Sequence, residues 1–328
     1  MRIITAKTRG GPEVLSIAEA ETPTPSAQQV LIKVHAAGLN RADLMQREGK
    51  YPPPPGAPEH PGLEVAGEIV ACGADVSEFA VGQRVCALLT GGGYAEHCIA
   101  DVGQVLPIPD EMDFVHAAAL PEACFTVWTN VYEIANLSAG ESLLVHGGTS
   151  GIGVMAIQIA TARGHIAFAT AGSKEKVAFC EQLGAHRAIN YRDQDFVAVT
   201  REATHGAGVN VILDMIGGSY LSRNLDALAI DGRLVMIATQ GGTKGELDVL
   251  KIMQRRLRVT GSTLRSRSIA FKRHIRDQLR THVWPDIELG KIRPIVDRVF
   301  DFEAAAEAHA YMERGSHIGK IVLRVRAS

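Results

Sequence analysis

A glycine-rich turn between an apolar strand and a helix constrains this chain more than any other feature. Ser142-Leu-Leu-Val-His146 reads as a strand, and His146-Gly-Gly-Thr-Ser-Gly-Ile-Gly153 carries it into a helix over 152–163. Glycines let the backbone turn tightly and approach a ligand, while unpaired N–H groups at a helix start face an anion. Beyond the turn, strands at 166–170, 209–214 and 233–238 alternate with helices at 174–183 and 219–229. That rhythm predicts βαβ units, hence a parallel sheet covered by helices on both faces, closing near Thr260. In such a setting the turn predicts a dinucleotide pyrophosphate held by Gly148, Thr149, Ser150, Gly151, Ile152 and Gly153. The spacing is Gly148-x-x-Gly151-x-Gly153 rather than G-x-G-x-x-G, so the pattern alone also fits a turn that only permits close helix–strand packing.

The tip of the next strand selects the cofactor. An acidic residue there usually accepts from the hydroxyls of an unphosphorylated ribose. Here the tip is Ala171, Gly172 and Ser173, followed by Lys174 and Lys176, which offer charge to a 2′-phosphate. NADPH is therefore expected over NADH, with Gly172, Ser173 and Lys176 at the site and Glu175 turned away. The same residues also read as a capped helix start with solvated lysines. Gln240 and Gly241 follow a strand's carboxyl end, where such sheets bind ligands, and Thr126 is expected to begin the first helix of the cofactor domain, within a helical run over 115–136.

The first 110 or so residues read differently, as short strands (30–34, 63–70) broken by turns, with a helical candidate at 41–48 and the stiff run Tyr51-Pro-Pro-Pro-Pro-Gly56. A tail with a helix over 269–283, a strand at 294–300, a helix over 303–313 and a strand at 321–325 lacks the βαβ rhythm and is expected to rejoin them. At 328 residues, two domains are the natural expectation. Five cysteines with no Cys-x-x-Cys pair argue against a disulfide framework or a four-cysteine zinc site. No apolar run is long enough to span a bilayer and the N-terminal residues carry no secretory pattern, so a soluble, cytoplasmic protein is expected. A net charge of −2 gives no global pull towards nucleic acid, although residues 251–280 hold ten Lys or Arg against one acid. A solvated helix face is the first explanation of that run, attraction of an anionic cofactor the second and an RNA-binding surface the third.

Several segments resemble the medium-chain dehydrogenase/reductase superfamily: Asn40-Arg-Ala-Asp-Leu-Met-Gln-Arg-Glu-Gly49, the proline run, Pro61-Gly-Leu-Glu-Val-Ala-Gly67, Val81-Gly-Gln-Arg-Val85, Gly91-Gly-Gly-Tyr-Ala-Glu96, the glycine-rich turn and Gly319-Lys-Ile-Val-Leu323. More narrowly, the chain looks like the zinc-free quinone oxidoreductases related to zeta-crystallin, especially the tumour-suppressor-inducible branch. The resemblance implies an α/β chain: a GroES-like, β-rich catalytic domain (1–122 and 271–328) interrupted by a Rossmann doubly wound domain (123–270). It also implies a homodimer. Zinc-dependent members carry a cysteine where this chain has Asn40 and a histidine where it has Leu63, and neither replacement ligates zinc, so no metal is expected. The implied activity is NADPH:quinone oxidoreduction, with reduction of the C=C bond of an enone or 2-alkenal as the alternative. From a different class comes a low-turnover NADPH-linked protein that binds RNA or a partner, with nucleic acid the less favoured partner. By the same resemblance Tyr51 and Asn40 lie where the substrate oxygen gains charge, Tyr191 near the adenosine phosphate, and Leu264 and Arg265 near the nicotinamide. A Tyr packed on prolines and a turn-capping Asn are the plain structural readings of the first two.

Overall fold

The protein, described here by a computed structural model over residues 1–326, divides into two compact units. One holds Met1–Phe125, Arg265–Glu288 and the chain from Pro294 onward; the other holds Thr126–Leu264 with Leu289–Arg293. The chain thus passes between units at 125/126 and 264/265, a few residues from the 122/123 and 270/271 boundaries read from sequence. It also returns five residues, Leu289–Arg293, to the second unit.

The second unit is built on six parallel strands: β1 (Ser142–Val145), β2 (Ile166–Ala171), β3 (Arg187–Asn190), β4 (Val209–Asp214), β5 (Leu228–Met236) and β6 (Arg258–Gly261). Their order in the sheet is β3-β2-β1-β4-β5-β6, so the strand order reverses between β1 and β4. In open α/β sheets ligands bind outside the carboxyl ends of strands at that reversal. The central strands β1, β2 and β4 run largely apolar and buried because helices cover both faces. Leu144, Phe168, Ile189, Ile212 and Leu234 are buried in one core with Phe196 and Leu225.

The helical run expected over 115–136 is not one helix. It divides into Phe114–Ala117, Pro121–Val127 and a π-helix, Trp128–Ile134. Pro121 supplies no backbone N–H, which explains the first break. Thr126 consequently sits in the last turn of Pro121–Val127 instead of beginning a helix.

The first unit is a β-rich body around a seven-stranded sheet. Val296–Asp301, Lys320–Arg324, Gln29–Gly38, Glu64–Cys72, Arg84–Leu88 and Val105–Pro107 follow one another, and His97–Asp101 pairs with Gln29–Gly38. Residues 29–36 alternate between partly exposed and buried, as period-two side-chain placement requires. Val30, Ile32, Val34, Val65, Ile69, Val85, Ile321 and Leu323 fill the core with Phe302 from the tail. The tail strand Lys320–Arg324 pairs antiparallel with Gln29–Gly38 and so places Lys320 beside the start of the helix Arg41–Arg47.

Candidate active site

Asn40 ends the connection from the long strand and caps the helix Arg41–Arg47 through a capping box with Asp43. Its side-chain oxygen also accepts from Lys320 Nζ at 2.7 Å, and its Nδ2 donates to Glu64 Oε1 at 2.9 Å. Lys320 donates to that same Glu64 oxygen, and Glu64 Oε2 takes the Glu122 backbone N–H at 2.9 Å. Glu64 is fully buried and Lys320 nearly so. An amide NH₂ has two donors, so one N–H of Asn40 remains beyond these bonds.

Behind this cluster Asp43 accepts from the N–H groups of Asn40 and Gly62, and burial raises its carboxyl pKa to about 6. The arrangement does not fit zinc. The amide of Asn40 is taken up by an ammonium and a carboxylate, Leu63 is a buried alkyl group, and Glu64 is already neutralised by Lys320. Among the described residues no group of three or more His, Cys, Asp or Glu side chains is placed to hold a metal ion.

Tyr51 stands at the head of the proline run. Its ring lies under the Arg265 guanidinium, 5.3 Å from ring centroid to Cζ, and its hydroxyl makes no hydrogen bond among the described residues. Arg265 is buried and acts as a clamp. Nε donates to Thr90 O at 2.7 Å, Nη2 to Gln46 Oε1 at 2.7 Å and Nη1 to Tyr51 O at 3.4 Å. The Lys272 ammonium, also buried, donates to Arg265 O at 3.0 Å and Thr90 Oγ1 at 3.4 Å. Desolvation, with the Arg265 charge alongside, lowers the Lys272 pKa to about 8. The hydrogen bonds of both cations go to neutral oxygens, and of the two it is Arg265 that lies over the Tyr51 ring, with Asp43 and Glu122 the carboxylates whose charge reaches Arg265 and Tyr51.

In the second unit Ser150 caps the helix Gly151–Ala162, its hydroxyl accepting from the Gly153 N–H at 3.0 Å. The N–H groups of Thr149, Gly151 and Ile152 take no acceptor among the described residues, as expected of a helix start awaiting an anion. A Cβ on Gly148 would meet Ala169 Cβ at 2.7 Å and Cys180 Sγ at 2.8 Å, so this turn has no room for a side chain. Gly217 turns with φ +80°, and the next loop lies against it: Gln240 N donates to Met215 O and Gly241 N to Ile216 O. These features at the carboxyl ends of β1 and β4 suit a dinucleotide.

At the end of β2, Ser173 caps the helix Lys174–Gln182, and the Tyr191 hydroxyl lies against Gly172, where a Cβ would come within 2.6 Å of it. Lys174 is exposed, Lys176 partly so. Glu175 does not turn away as expected: its carboxylate reaches its own N–H and the Ser173 hydroxyl, which lowers its pKa. In a helix first turn the carboxylate is drawn to the free N–H groups. Leu264, half-buried, is the last residue of the second unit, and Thr126 accepts the Asn130 side-chain amide at its carbonyl.

The basic stretch is largely neutralised within each unit. Lys251 pairs with Asp226, Arg256 with Asp231, and Arg273, Arg276 and Arg280 converge on Glu78. Arg255 bonds the Leu225 carbonyl, and Arg265 and Lys272 are buried.

A β-rich unit joined to a doubly wound parallel sheet with a glycine-rich phosphate turn defines a nicotinamide-dependent dehydrogenase or reductase. Residues 26–110 match the family described as the alcohol dehydrogenase GroES-like domain, and residues 183–323 the one described as zinc-binding dehydrogenase. The quinone oxidoreductase of Rattus norvegicus is 34% identical over 98% of this chain and 97% of its own length. A solved structure named as an NAD-dependent alcohol dehydrogenase superposes with a TM-score of 0.88 at 32% identity, covering 99% of this chain and 100% of that one. The quinone oxidoreductase of Escherichia coli, solved with NADPH, gives 0.86 at 27% identity over 99% and 100% of the two chains. The chain belongs to the medium-chain dehydrogenase/reductase superfamily, among the quinone oxidoreductases, and is an NAD(P)H-dependent oxidoreductase.

Proposed function

We propose that this enzyme transfers hydride from NADPH to a quinone without zinc. The observation that carries this reading is the Tyr51 ring held under the buried Arg265 guanidinium, whose own hydrogen bonds all go to neutral oxygens: a flat aromatic face against fixed positive charge. Bound NADPH supplies the hydride, and a quinone accepting it becomes a hydroquinone anion that takes its proton from water. The fixed charge of Arg265 stabilises that anion, and the unpaired Tyr51 hydroxyl donates to its oxygen. Asn40 has one amide N–H to add; its other bonds hold the helix start in place.

The cofactor reading rests on the open N–H groups of Thr149, Gly151 and Ile152, with Ser150, Gly148 and Gly153 shaping the turn, and with Gln240, Gly241, Tyr191, Leu264 and Thr126 as further contacts. NADPH over NADH rests on the absence of an acid at residues 171–173 and on the nearby Lys174 and Lys176. For a 2′-phosphate to reach Ser173, Glu175 must leave the hydroxyl it now holds. A homodimer is supported by β6, which ends the sheet with an unpaired edge, and by Val249, Leu250 and Met253 exposed on the adjacent helix Val249–Arg255. Sedimentation at micromolar concentration that returned a monomer would remove the dimer.

The test is consumption of NADPH and of NADH with ortho-quinones, para-quinones and small enones in parallel, with products identified. Rapid quinone reduction with a preference for NADPH that falls in a Ser173→Ala/Lys176→Ala variant is expected. Preferential saturation of the enone C=C bond would overturn the quinone assignment. An unchanged cofactor preference in the variant would overturn the role of the β2 tip.

A further inference from the structure

The second unit holds a buried polar chain that the proposed mechanism does not use. His146, at the end of β1, is fully buried, its ring edge-on against the stacked pair of Phe196 and Tyr220 at centroid distances of 4.8 and 4.9 Å. Nε2 lies 2.7 Å from Asn224 Oδ1 and Nδ1 lies 3.1 Å from Thr170 Oγ1. Asn224 Nδ2 donates to Asp214 Oδ2 at 3.1 Å, and Asp214 accepts from the N–H groups of Ile216 at 2.7 Å and Gly217 at 3.1 Å. At the other end, Thr170 Oγ1 accepts the Gly147 N–H at 3.3 Å.

The direction of each bond follows from chemistry. The Asp214 carboxylate only accepts, so the Asn224 amide donates to it and turns its oxygen to His146. Oδ1 cannot donate, so Nε2 carries the proton; Nδ1 is then bare and accepts from the Thr170 hydroxyl. Burial keeps the ring neutral, which this pattern needs. One polarised chain therefore runs from the N–H that opens the phosphate turn to the N–H groups that open the loop after β4. That second loop is in turn bonded to residues 240–242, through Met215 O, Ile216 O and the Gly218 N–H to Gly242 O. The two loops flank the reversal of strand order; among the described residues no backbone hydrogen bond joins Gly147–Gly153 to 215–218, and their direct bond is the weak one from the Ser150 hydroxyl to Met215 Sδ at 3.7 Å.

We infer that His146, with Thr170, Asn224 and Asp214, is a positioning relay that sets the phosphate turn and the 215–218 loop at the spacing a dinucleotide requires. His146 touches neither cofactor nor substrate on this view. It acts through the backbone of Gly147 and, by way of Asn224 and Asp214, of Ile216 and Gly217. An aliphatic residue would fill the cage of Phe196 and Tyr220 equally well, so packing alone does not call for an imidazole. The inference rests on the proposal that these loops bind the dinucleotide.

The test is NADPH affinity and steady-state kinetics of the full chain for His146→Leu, His146→Gln, Asn224→Leu and the His146→Leu/Asn224→Leu pair. We expect His146→Leu to raise KM and Kd for NADPH about tenfold with kcat at saturating NADPH within about twofold. Glutamine, with a donor and an acceptor, should restore part of the loss, and the double variant should be no worse than the single ones, because a chain broken twice is still one broken chain. A folded His146→Leu enzyme with NADPH Kd within twofold of wild type, or a fully additive double variant, overturns the inference. Should His146→Leu not fold, Thr170→Val removes one hydroxyl at constant shape and is expected to weaken NADPH about threefold; unchanged binding there overturns it equally. Gly153→Ala separates the two levels: if it binds NADPH like wild type, the cofactor reading itself has failed, whereas weakened binding in Gly153→Ala with none in the His146 variants removes the relay alone.

Discussion

Gly153 offers the sharpest quantitative check of the cofactor site. A Cβ at this position would meet Gly148 Cα at 2.7 Å and Gly148 C at 2.8 Å, and it would press harder still on the Gly147 carbonyl oxygen. All three are backbone atoms of the phosphate turn, so no side chain can swing aside. Relaxed carbon–carbon contact is about 3.5 to 4.0 Å, so Gly153→Ala forces turn and helix start apart by roughly 1 Å. A displacement of that size takes a 2.9 Å hydrogen bond to about 3.9 Å, beyond bonding range. Losing one charge-assisted bond of this kind costs about 2 kcal/mol, which weakens NADPH roughly thirtyfold. Overpacking should itself remove about 1 to 3 kcal/mol of stability. Titration of NADPH by fluorescence, paired with thermal unfolding, reads both effects. A Gly153→Ala enzyme that bound NADPH within twofold of wild type and melted at the same temperature would refute the reasoning.

Lys320→Met strands the fully buried Glu64 without its cation and should destabilise the first unit by about 3 to 5 kcal/mol, with part regained in Glu64→Gln/Lys320→Met; urea unfolding of both variants checks this. His146 and His309 are buried with pKa values lowered to about 4 and about 3, so between the ordinary 6.5 and those values the folded state binds fewer protons than the unfolded one. Stability should therefore fall as pH drops through that window, by about 3 kcal/mol from His146 alone, whereas Asp43, raised to about 6, works in the opposite sense between its ordinary 3.8 and 6. Urea midpoints at pH 7 and pH 4.5 should differ less in His309→Gln than in wild type, and equal differences would contradict the assignment. Arg265→Lys keeps the charge but loses the fork that reaches Thr90, Gln46 and Tyr51 together, so KM for quinone should rise about tenfold with KM for NADPH little changed; steady-state kinetics with an unaltered quinone KM would count against the clamp.

Much of this was legible in the sequence because periodicity and glycine chemistry are local. The strands at 142–145, 166–171 and 209–214 and the helices at 151–162 and 174–182 follow from the βαβ rhythm, and the helix start at Ser150 from its glycines, whereas the short strands Arg187–Asn190 and Arg258–Gly261 and the helices Phe196–Ala203 and Val249–Arg255 were not read. The π-helix at Trp128–Ile134 was not legible, since apolar spacing over so short a run does not separate 3.6 from a longer repeat. Nor were the partners of the site residues. Asn40 and Lys320 lie 280 positions apart, and Tyr51 and Arg265 are separated by 214. A signal did exist for Lys320: Glu64 and Lys320 each lead directly into apolar residues of a strand, and a charge entering a core calls for an opposite one. The Asn224–Asp214 link to His146 had no such marker, because an Asn on a short helix and an Asp at a strand end are both ordinary surface choices.

The charge distribution in the first unit bears on where the reaction is helped. Around Asn40 the one cation is matched: the Lys320 ammonium is spent on Glu64 and on the Asn40 and Leu39 oxygens, and Asp43 is held by backbone N–H groups, so of the Asn40–Lys320 pair one amide N–H is left to offer among the described residues. Over Tyr51 the sum is different, since the buried Arg265, with Lys272 bonded behind it to the Arg265 and Thr90 oxygens, gives its hydrogen bonds to carbonyl and amide oxygens alone. Burying a cation without a bonded anion is costly, and the lowered Lys272 pKa is the sign of that cost. On the function proposed above, an acceptor that turns anionic beside Tyr51 relieves that cost, and Arg265 does as a fixed cation what a metal does for the oxygen in zinc-dependent members of the superfamily.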